Sequence, residues 1–364
     1  MIAKVLVLLQ EKKYALVKQA VLEMNAVDIA EVFAELHELE APQTALRLFR
    51  LMPKELAAET FSYMESDVQQ SIIEAISDNE LRFILDDMYM DDYVDLIEEM
   101  PANVVKRLLA NSSDENRKLI NEYLQYPEDS AGSIMTNEYV YFRRNVTVRE
   151  AFDIIRKTGV DKETIYTCYV ISAERKLEGV VTVRELLLAD PNAAVDTIMS
   201  TNVIHAHTLD DKEEIAKLFS RYDMLSLPVV DKEERLVGII TIDDAVDVMQ
   251  EANTEDFEMM AGIAHSDDTY LKMPVVSLAK NRIIWLLVLM FSAMITGAML
   301  EHYEAAIATL PLLVSFIPML MDTGGNCGSQ ASTMIIRGMA LDEIEPSDFL
   351  RVWWKEIRVA LLCG

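Results

Sequence analysis

The sequence lacks the cysteine and histidine patterns that mark several common functional classes. Its three cysteines, Cys168, Cys327 and Cys363, lie far apart without CxxC spacing. Neither a disulfide framework nor a zinc knuckle is therefore predicted, and a reducing compartment fits best. No nucleophile elbow or HExxH motif occurs, and the five histidines form no ligand pattern by spacing. His205 and His207, in HAH, have the alternation of strand residues, so the sequence does not predict an enzyme.

Basic charge is also scarce. The chain has 33 Lys and Arg against 61 Asp and Glu, a formal net charge of -28. This balance excludes a nucleic-acid binder, because phosphate contacts need clustered Lys and Arg. Nearly all of the excess acid lies in the first 280 residues. A cation is therefore the more natural partner of that part of the chain.

Two long uncharged runs stand near the C-terminal end. Residues 283–300 contain 18 uncharged, mostly apolar residues, nearly the ~20 that a helix needs to cross a bilayer. EHYE at 301–304 predicts a tight turn, after which the uncharged residues 305–321 run back as a second crossing. A buried helical hairpin of a soluble protein is the alternative. The opening MIAKVLVLLQEKK has only five consecutive apolar residues, so it predicts an ordinary first helix rather than a signal peptide.

The charges that flank these runs predict the orientation of the chain. Lys280 and Arg282 precede the first run, whereas the turn after it has two glutamates and no Lys or Arg. Arg337, Arg351 and Lys355 follow the second run. The positive-inside rule predicts a multi-pass protein of the cell membrane, with residues 1–280 in the cytoplasm and lipid as a partner.

An apolar residue recurs every 12 positions between residues 49 and 109. One track contains Phe49, Phe61, Ile73, Leu85, Ile97 and Leu109, and a second contains Met52, Met64, Ile76, Met88 and Met100. Spacing of three within a unit and 12 between units predicts short stacked helices, each of about two turns. Residues 1–130 are predicted to form an acidic, all-α superhelix, which is usually a scaffold.

A second repeat follows. SIMT at 133–136 recurs as IMST at 198–201, and LEGVVTVREL at 177–186 recurs as LVGIITIDDA at 236–245. Each copy predicts two apolar strands and a helix. The tandem copies, 131–195 and 196–252, resemble a pair of cystathionine beta-synthase (CBS) domains. The predicted fold class is therefore multidomain: an all-α superhelix, an α+β CBS pair and an α-helical transmembrane segment.

In the CBS family, a Gly-x-x-Thr-x-x-Asp pattern after the last strand can contact the ribose of an adenine nucleotide. Gly238, Thr241 and Asp244 fit it, whereas the first copy has Glu185 in place of Asp. The candidate nucleotide contacts are Thr182, Arg184, Glu185 and Thr241. A strand followed by a helix-capping acid explains the same pattern, so both interpretations stay open.

The most specific motif is PMLMDTGGNCGSQASTMIIRG at residues 318–338. No Lys-Ser/Thr follows its glycines, which excludes a P-loop. Glycine, Asn and Gln at membrane depth suit a path for a hydrated cation, whereas a polar loop between two helices is the alternative. In its order of domains and in this motif, the chain resembles the MgtE family of magnesium transporters and channels. The motif residues that carry the likeness, and the predicted pore residues, are Pro318, Gly324, Gly325, Asn326, Gly328 and Gln330.

The resemblance implies several further features. It implies a homodimer, a connecting helix over 253–279 and a transmembrane region over 280–364, with helices at about 281–301 and 305–340 and the start of a third from about 352. Five membrane helices per subunit are implied, of which this sequence holds the first two and the beginning of the third. ATP is a candidate regulatory ligand. Asp322, beside the glycines, is an extra ligand or a residue at the membrane edge.

Paired acids on helices suggest how such a pore would be regulated. Asp91 and Asp95 are four apart on one helix face, as are Asp243 and Asp247, and like charges so placed repel. The resemblance implies that cytosolic Mg²⁺ bridges these acids and holds the pore closed. The implied Mg²⁺ ligands are Asp91, Asp95, Asp211, Glu213, Asp223, Asp244, Asp247, Glu255 and Asp256. Asp92 is an alternative to Asp91. The alternative function is a membrane-anchored regulatory subunit in which the CBS pair senses an adenine nucleotide.

Overall fold

The computed structural model describes residues 1–266, 270, 273–309, 311–341 and 343–363. The chain divides into two compact units, Met1–Val246 and Asp247–Gly364. The first unit contains the superhelix and two small sheets, and the second contains long apolar helices. The predicted combination of an all-α domain, an α+β pair and an α-helical apolar region is confirmed.

Ten short helices form the superhelix. They are α1 (Ile2–Gln10), α2 (Tyr14–Val21), α3 (Ala26–Glu38), α4 (Pro42–Leu51), α5 (Lys54–Ser62), α6 (Ser66–Ala75), α7 (Asp78–Asp87), α8 (Met90–Glu99), α9 (Ala102–Asn111) and α10 (Asp114–Tyr123). From α4 to α10 the helices begin 12 residues apart, which is the period of the apolar tracks. Alternate helices contact each other, as α3 does α5, and α5 does α7.

The two apolar tracks form the core of this stack. The first five residues of the first track are buried, and in the sixth repeat Leu108 is buried while Leu109 is half-buried. Phe49 packs edge-to-face between Phe33 and Phe61, with ring centroids 6.2 and 6.5 Å away. Each helix is too short to be stable alone, so its stability comes from covering the apolar stripe of its neighbours.

Hydrogen bonds and ion pairs also connect the helices of the superhelix. Arg107 of α9 donates to the Asp78 carboxylate of α7 at 2.9 and 3.0 Å and to the Ile76 carbonyl at 2.7 Å. Ser77 and Glu80 form a capping box at the start of α7. The Glu80 pKa falls to about 2, first because Arg50 of α4 donates to its carboxylate and then because Ser77 does so. These contacts hold α7 in register with α4 and α9.

The two CBS-like units have the same order of elements. The first contains β1 (Tyr139–Arg143), α11 (Val148–Thr158), β2 (Thr164–Ile171), β3 (Leu177–Thr182) and α12 (Val183–Leu188). The second contains β4 (Ala206–His207), α13 (Lys212–Tyr222), β5 (Ser226–Val230), β6 (Leu236–Thr241) and α14 (Ile242–Met260). In each sheet the first two strands pair in parallel and the last two antiparallel.

Each unit reaches into the other. Thr136, which precedes β1 in the first unit, forms two backbone hydrogen bonds with Ile239 of β6, at 2.7 and 2.8 Å. Ser200, which precedes β4 in the second unit, pairs in the same way with Val180 of β3, at 2.8 and 2.9 Å. Between the sheets, the Tyr169 hydroxyl lies 2.8 Å from the Ser226 hydroxyl. The repeated segments SIMT and IMST are therefore the exchanged pieces that join the pair.

A glycine in the third strand of each sheet, Gly179 in β3 and Gly238 in β6, permits this exchange. A Cβ on Gly238 would lie 2.7 Å from the Met135 sulfur and 2.9 Å from the Thr136 carbonyl oxygen. A Cβ on Gly179 would likewise lie 2.7 Å from the Met199 sulfur and 2.9 Å from the Ser200 carbonyl oxygen. The close approach of backbone to backbone explains a glycine at both positions without reference to a ligand.

Gly238→Ala should therefore destabilise the CBS pair, by about 1–3 kcal/mol, because the added methyl has to displace a paired strand. Thermal unfolding of the full chain in detergent measures this effect. Gly297→Ala is the matched control, since a Cβ on Gly297 would meet nothing within 4 Å. Equal unfolding temperatures for the two variants would contradict the explanation.

The second unit differs in part from the predicted helices. The second unit begins within α14, at Asp247. Its further helices are α15 (Val275–His302), α16 (Glu304–Thr309), α17 (Phe316–Ala340) and α18 (Phe349–Cys363). A single helix over 305–340 is wrong, because the chain has a 3₁₀ turn at Pro311–Ser315 and proline disrupts a helix that approaches it. The connecting helix over 253–279 is not continuous either, since α14 ends at Met260 and α15 begins at Val275. Residues 267–269 and 271–272 of that segment lie outside the described residues.

Within the described residues, α15 is the one helix whose length and hydropathy suffice for a membrane crossing, with a mean hydropathy of 2.3 over an 18-residue window. The glycine motif lies inside α17 rather than in a loop, so the loop alternative is wrong. Cβ atoms on Gly324, Gly325 and Gly328 would meet nothing within 4 Å. These glycines thus form a strip without side chains on the exposed surface of α17.

Candidate divalent-cation site

Acidic side chains from three places in the first unit meet at the start of α8. Asp91 and Asp92 lie in the first turn of α8, and Asp95 follows one turn later. Acids are favoured in the first turn of a helix, where the backbone N–H groups are unpaired. Asp91 is only 9% exposed, which is rare for an aspartate, and its carboxylate accepts from the Asp92 backbone N–H at 3.0 Å.

The CBS pair supplies the facing acids. Asp243 and Asp244 occupy the first turn of α14, and the Thr241 hydroxyl donates to the Asp244 carboxylate at 2.7 Å. Glu163 lies just before β2, where its backbone N–H donates to the Glu138 carbonyl at 3.0 Å. Among the described residues, one buried carboxylate oxygen of Glu163 has no hydrogen-bond partner. A buried acceptor without a donor is costly, and a bound cation would relieve that cost.

The acids raise one another's pKa values. Burial, followed by Asp244, Asp92 and Glu163, raises the pKa of Asp91 well above its ordinary range. Burial, followed by Asp243, Asp244, Asp92 and Glu138, raises the pKa of Glu163 to about 8. Each neighbour that raises these two pKa values is another acid. The folded arrangement therefore disfavours the fully ionised cluster.

The cluster extends from the buried Asp91 to the surface. The Asp95 side chain is exposed to water on one side, yet the protein around it, followed by Asp92 and other acids, raises its pKa to about 7. Burial also raises the pKa of Asp244 to about 6, against the opposing hydrogen bonds from Thr241. An accessible edge and a buried interior suit a partly hydrated divalent ion, because Mg²⁺ keeps several of its waters.

Asp91, Asp95 and Asp244 of the predicted Mg²⁺ ligands are thus brought together. Asp243, Glu138 and Glu163 are not among the predicted Mg²⁺ ligands, and Asp92 was only an alternative to Asp91. Asp243 could have been found, since it adjoins a predicted ligand on the same helix. Glu163 and Glu138 carried no local signal, because only the tertiary fold brings the first CBS unit against α8.

Other predicted ligands lie elsewhere. The Asp211 carboxylate caps α13 and accepts from the Glu213 and Glu214 backbone N–H groups at 2.9 and 3.2 Å. The superhelix is joined to the second CBS unit here, since the Lys212 N–H donates to the Asp129 carbonyl at 3.0 Å. Asp223 ends the same helix in a left-handed conformation, ~18 Å of helix away from Asp211. Neither end of α13 contributes one of the acids that raise the Asp91 pKa.

Asp247, Glu255 and Asp256 lie on the part of α14 that belongs to the second unit. Asp247 follows Asp243 by one helical turn on the same face, as the sequence indicates. Their part in cation binding stays a prediction.

The predicted nucleotide residues form helix caps. Thr182 and Glu185 make a reciprocal capping box at the start of α12, with the Glu185 carboxylate accepting from the Thr182 N–H at 2.7 Å. At the start of α14 the Asp244 carboxylate likewise accepts from the Thr241 N–H at 3.3 Å and from the Thr241 hydroxyl at 2.7 Å. The caps account for the pattern without a nucleotide. Arg184 is exposed beside the first cap.

The predicted pore residues share α17 with Asp322. Pro318 lies in its first turn, where the missing N–H costs nothing. Asp322, Asn326 and Gln330 follow one another at intervals of four and thus share one face of the helix. The Asn326 amide donates to the Asp322 carboxylate at 3.3 Å. Asp322 therefore belongs to a polar stripe with the motif's amides.

A helical repeat domain, a CBS pair with a shared acidic cluster and an apolar helix of membrane-spanning length together define a membrane protein with a cation-attracting regulatory region. Comparison with known proteins identifies the family. The "MgtE intracellular N domain" family matches residues 24–129, "CBS domain" matches 131–192 and 195–251, and "Divalent cation transporter" matches 317–364. The chain belongs to the MgtE family of magnesium transporters.

Individual relatives support this assignment. The magnesium transporter MgtE of Thermus thermophilus is 35% identical over 98% of this chain and 82% of its own length. The Bacillus subtilis MgtE is 30% identical over 100% of this chain and 79% of its own length. A crystal structure of the cytosolic domain of the Mg²⁺ channel MgtE in complex with ATP matches 68% of this chain and all of that chain, at 34% identity and a TM-score of 0.63.

Proposed function

We propose that this protein conducts Mg²⁺ across the cell membrane, and that cytosolic Mg²⁺ bound at the acidic cluster closes the pore. The observation that carries the gating proposal is the meeting of Asp91, Asp244 and Glu163, where Asp244 and Glu163 help to raise the pKa of Asp91 and Asp244 helps to raise that of Glu163. These acids come from the superhelix and both CBS units. Their approach is unfavourable without a compensating cation, so the occupancy of the cluster sets how tightly the domains associate.

The chemistry of the cluster favours Mg²⁺. Carboxylate oxygens are hard ligands, and Mg²⁺ is usually held by one or two of them with its remaining waters in place. The residues that shift the pKa values of Asp91 and Glu163 are all Asp or Glu. Softer metals prefer histidine and cysteine ligands. A site of this kind binds weakly enough to respond to changes in cytosolic Mg²⁺.

The cluster includes the start of α14. Asp243 and Asp244 form the first turn of this helix, which continues to Met260 and is 19 residues long. A change in association at the cluster therefore acts on the first turn of α14. Asp247, Glu255 and Asp256 would add ligands along it, and Asp211, Glu213 and Asp223 would add them on α13.

The pore is proposed to be lined by the polar stripe of α17. A charged residue within a membrane segment is costly and is a functional candidate for that reason. Asp322 with Asn326 and Gln330 offers oxygens to a hydrated cation, while the strip of glycines lets a neighbouring helix approach closely. The proposal also includes a multi-pass topology, a cytoplasmic N-terminal region, a homodimer and no catalytic reaction.

An adenine nucleotide is proposed as a second regulatory ligand at the first CBS unit. The related cytosolic domain was crystallised with ATP. In this chain Asp244 belongs to the acidic cluster, which repels phosphates, so the second copy is the poorer candidate. Thr182, Glu185 and the exposed Arg184 of the first copy are the better one, because Arg184 can pair with phosphate.

The test is Mg²⁺ flux into liposomes that contain the full-length protein, followed with an internal dye. Flux is expected to fall as Mg²⁺ on the face of the soluble domains rises into the millimolar range, and not to fall when NaCl of equal ionic strength replaces it. Flux that does not change with the Mg²⁺ concentration on that face would refute the gating proposal. Absence of flux under every condition, with tight ATP binding, would favour the nucleotide-sensing regulatory subunit.

A further inference from the structure

Two histidines and a glutamate meet at the surface of the second CBS unit, apart from the acidic cluster. Ala206 of β4 is fully buried, so His205 and His207 on either side of it share the opposite face of the strand. Glu234 lies in the turn between β5 and β6. One ligand atom from each of the three residues lies within 4.8 Å of the other two. The spacing of the histidines did not predict this group, because Glu234 is brought to it by the fold.

The geometry directs both imidazoles at one carboxylate. The Nε2 atom of His205 is 3.6 Å from one oxygen of Glu234, and the Nε2 atom of His207 is 3.5 Å from the other. These lengths exceed a normal hydrogen bond. They are close to the ~3.3 Å that separates neighbouring ligands around a tetrahedral ion with bonds of about 2.0–2.1 Å.

The other ring nitrogens have partners that orient the imidazoles. His205 Nδ1 is 3.2 Å from the Val203 carbonyl oxygen, and His207 Nδ1 is 3.7 Å from the Asp210 carboxylate. An Nδ1–H that faces a carbonyl or carboxylate leaves Nε2 with its lone pair, which is the arrangement found around metal-bound histidines. A lone pair that faces a carboxylate is repulsive until a cation lies between them.

Glu234 is held in place by its turn. The Asp231 carboxylate accepts from the Glu233 and Arg235 backbone N–H groups at 3.0 and 2.8 Å and from Arg235 Nε at 2.7 Å. Glu234 itself has a φ of 64°, a conformation that costs energy for a residue with a side chain. Its carbonyl accepts from the Leu177 N–H of the first CBS unit at 3.1 Å. The carboxylate is thus presented from a fixed backbone.

We propose that His205, His207 and Glu234 bind a first-row divalent transition metal, with Zn²⁺ as the representative ion and Asp210 as an outer partner. Two imidazoles and a carboxylate suit Zn²⁺ and its neighbours, whereas Mg²⁺ prefers oxygen ligands alone. The bound metal ties β4 to the β5–β6 turn and, through Leu177, to the first CBS unit. The CBS pair thereby carries a metal site of different selectivity from the acidic cluster, and this inference does not depend on Mg²⁺ transport.

Co²⁺ titration of the full chain in detergent tests the site, with millimolar Mg²⁺ present to occupy the carboxylate cluster and without any polyhistidine tag. Visible d–d absorption of bound Co²⁺ is expected, and Zn²⁺ should displace it. The double variant His205→Gln/His207→Gln should bind at least roughly tenfold more weakly, and Glu234→Gln should also weaken binding. His37→Gln, a histidine of the superhelix, is the matched control and should bind like the parent.

Folding of the variants is checked by thermal unfolding without metal, where the half-exposed histidines should matter little. Zn²⁺ should then raise the unfolding temperature of the parent and of His37→Gln, and not that of the double variant. Co²⁺ and Zn²⁺ binding that is the same in the parent and in the double variant would overturn the proposal. Absence of binding to the parent would overturn it as well.

Discussion

Asp91→Asn/Asp95→Asn should make residues 1–246 compact in the absence of Mg²⁺ and should remove most of their response to it. Both carboxylates contribute to a group of mutually repelling acids, so neutralising them removes repulsion and ligands together. Limited proteolysis during a Mg²⁺ titration measures the effect. We expect protection without Mg²⁺ to approach that of the Mg²⁺-bound parent, and the Mg²⁺ midpoint to rise roughly tenfold or more.

The matched control is Glu31→Gln/Glu35→Gln. These two glutamates are also four residues apart on one helix, and both are exposed on α3. The control removes the same amount of charge, so it should keep the Mg²⁺ titration of the parent. If the Asp91/Asp95 variant also keeps the parental titration, these two residues are not Mg²⁺ ligands.

Raising the pH should open the Mg²⁺-free protein. The pKa values of Asp244, Asp95 and Glu163 are about 6, 7 and 8 in the folded cluster, above their ordinary values near 4. The compact form therefore binds more protons than the open form between pH 4 and 8. Its stability is fully present at the acid end and is lost as the pH rises through these values, on the order of tenfold in population per pH unit for each proton released.

Proteolytic protection in chelator from pH 5.5 to 8.5 measures this dependence. Protection should fall with rising pH, and saturating Mg²⁺ should remove most of the fall because the ion replaces the protons. Asp91→Asn/Asp95→Asn should flatten the profile, whereas Glu31→Gln/Glu35→Gln should not. A profile that stays level in the Mg²⁺-free parent would mean that the cluster does not control compactness.

The sequence predicted those features that depend on local periodicity. The 12-residue tracks anticipated helices that begin at Pro42, Lys54, Ser66 and onward at the same interval. Asp91 and Asp95 could be paired because one helical turn separates them. The duplicated segments likewise indicated a CBS pair. SIMT and IMST are repeated as well because each of them pairs with the last strand of the other unit.

Features that depend on distant contacts were not predictable. Glu163 and Glu138 join the cluster only because the superhelix packs on the first CBS unit, and Glu234 meets His205 and His207 through a turn 27 residues downstream of His207. The glycine motif was predicted inside a helix, with a polar loop as the alternative. The helix is observed, since α17 is helical throughout and glycines in a helix cost only about 1 kcal/mol each.

The exchanged segments bear on the evolution of the CBS pair. Because Thr136 of the first unit pairs with β6 and Ser200 of the second unit pairs with β3, neither copy could be deleted or inherited alone without removing a backbone partner from the last strand of the survivor. Selection must therefore retain the duplicate even where only one copy binds a given ligand. The spare copy is free to acquire new chemistry, and the His205, His207 and Glu234 group has no counterpart in the repeated motifs of the first unit.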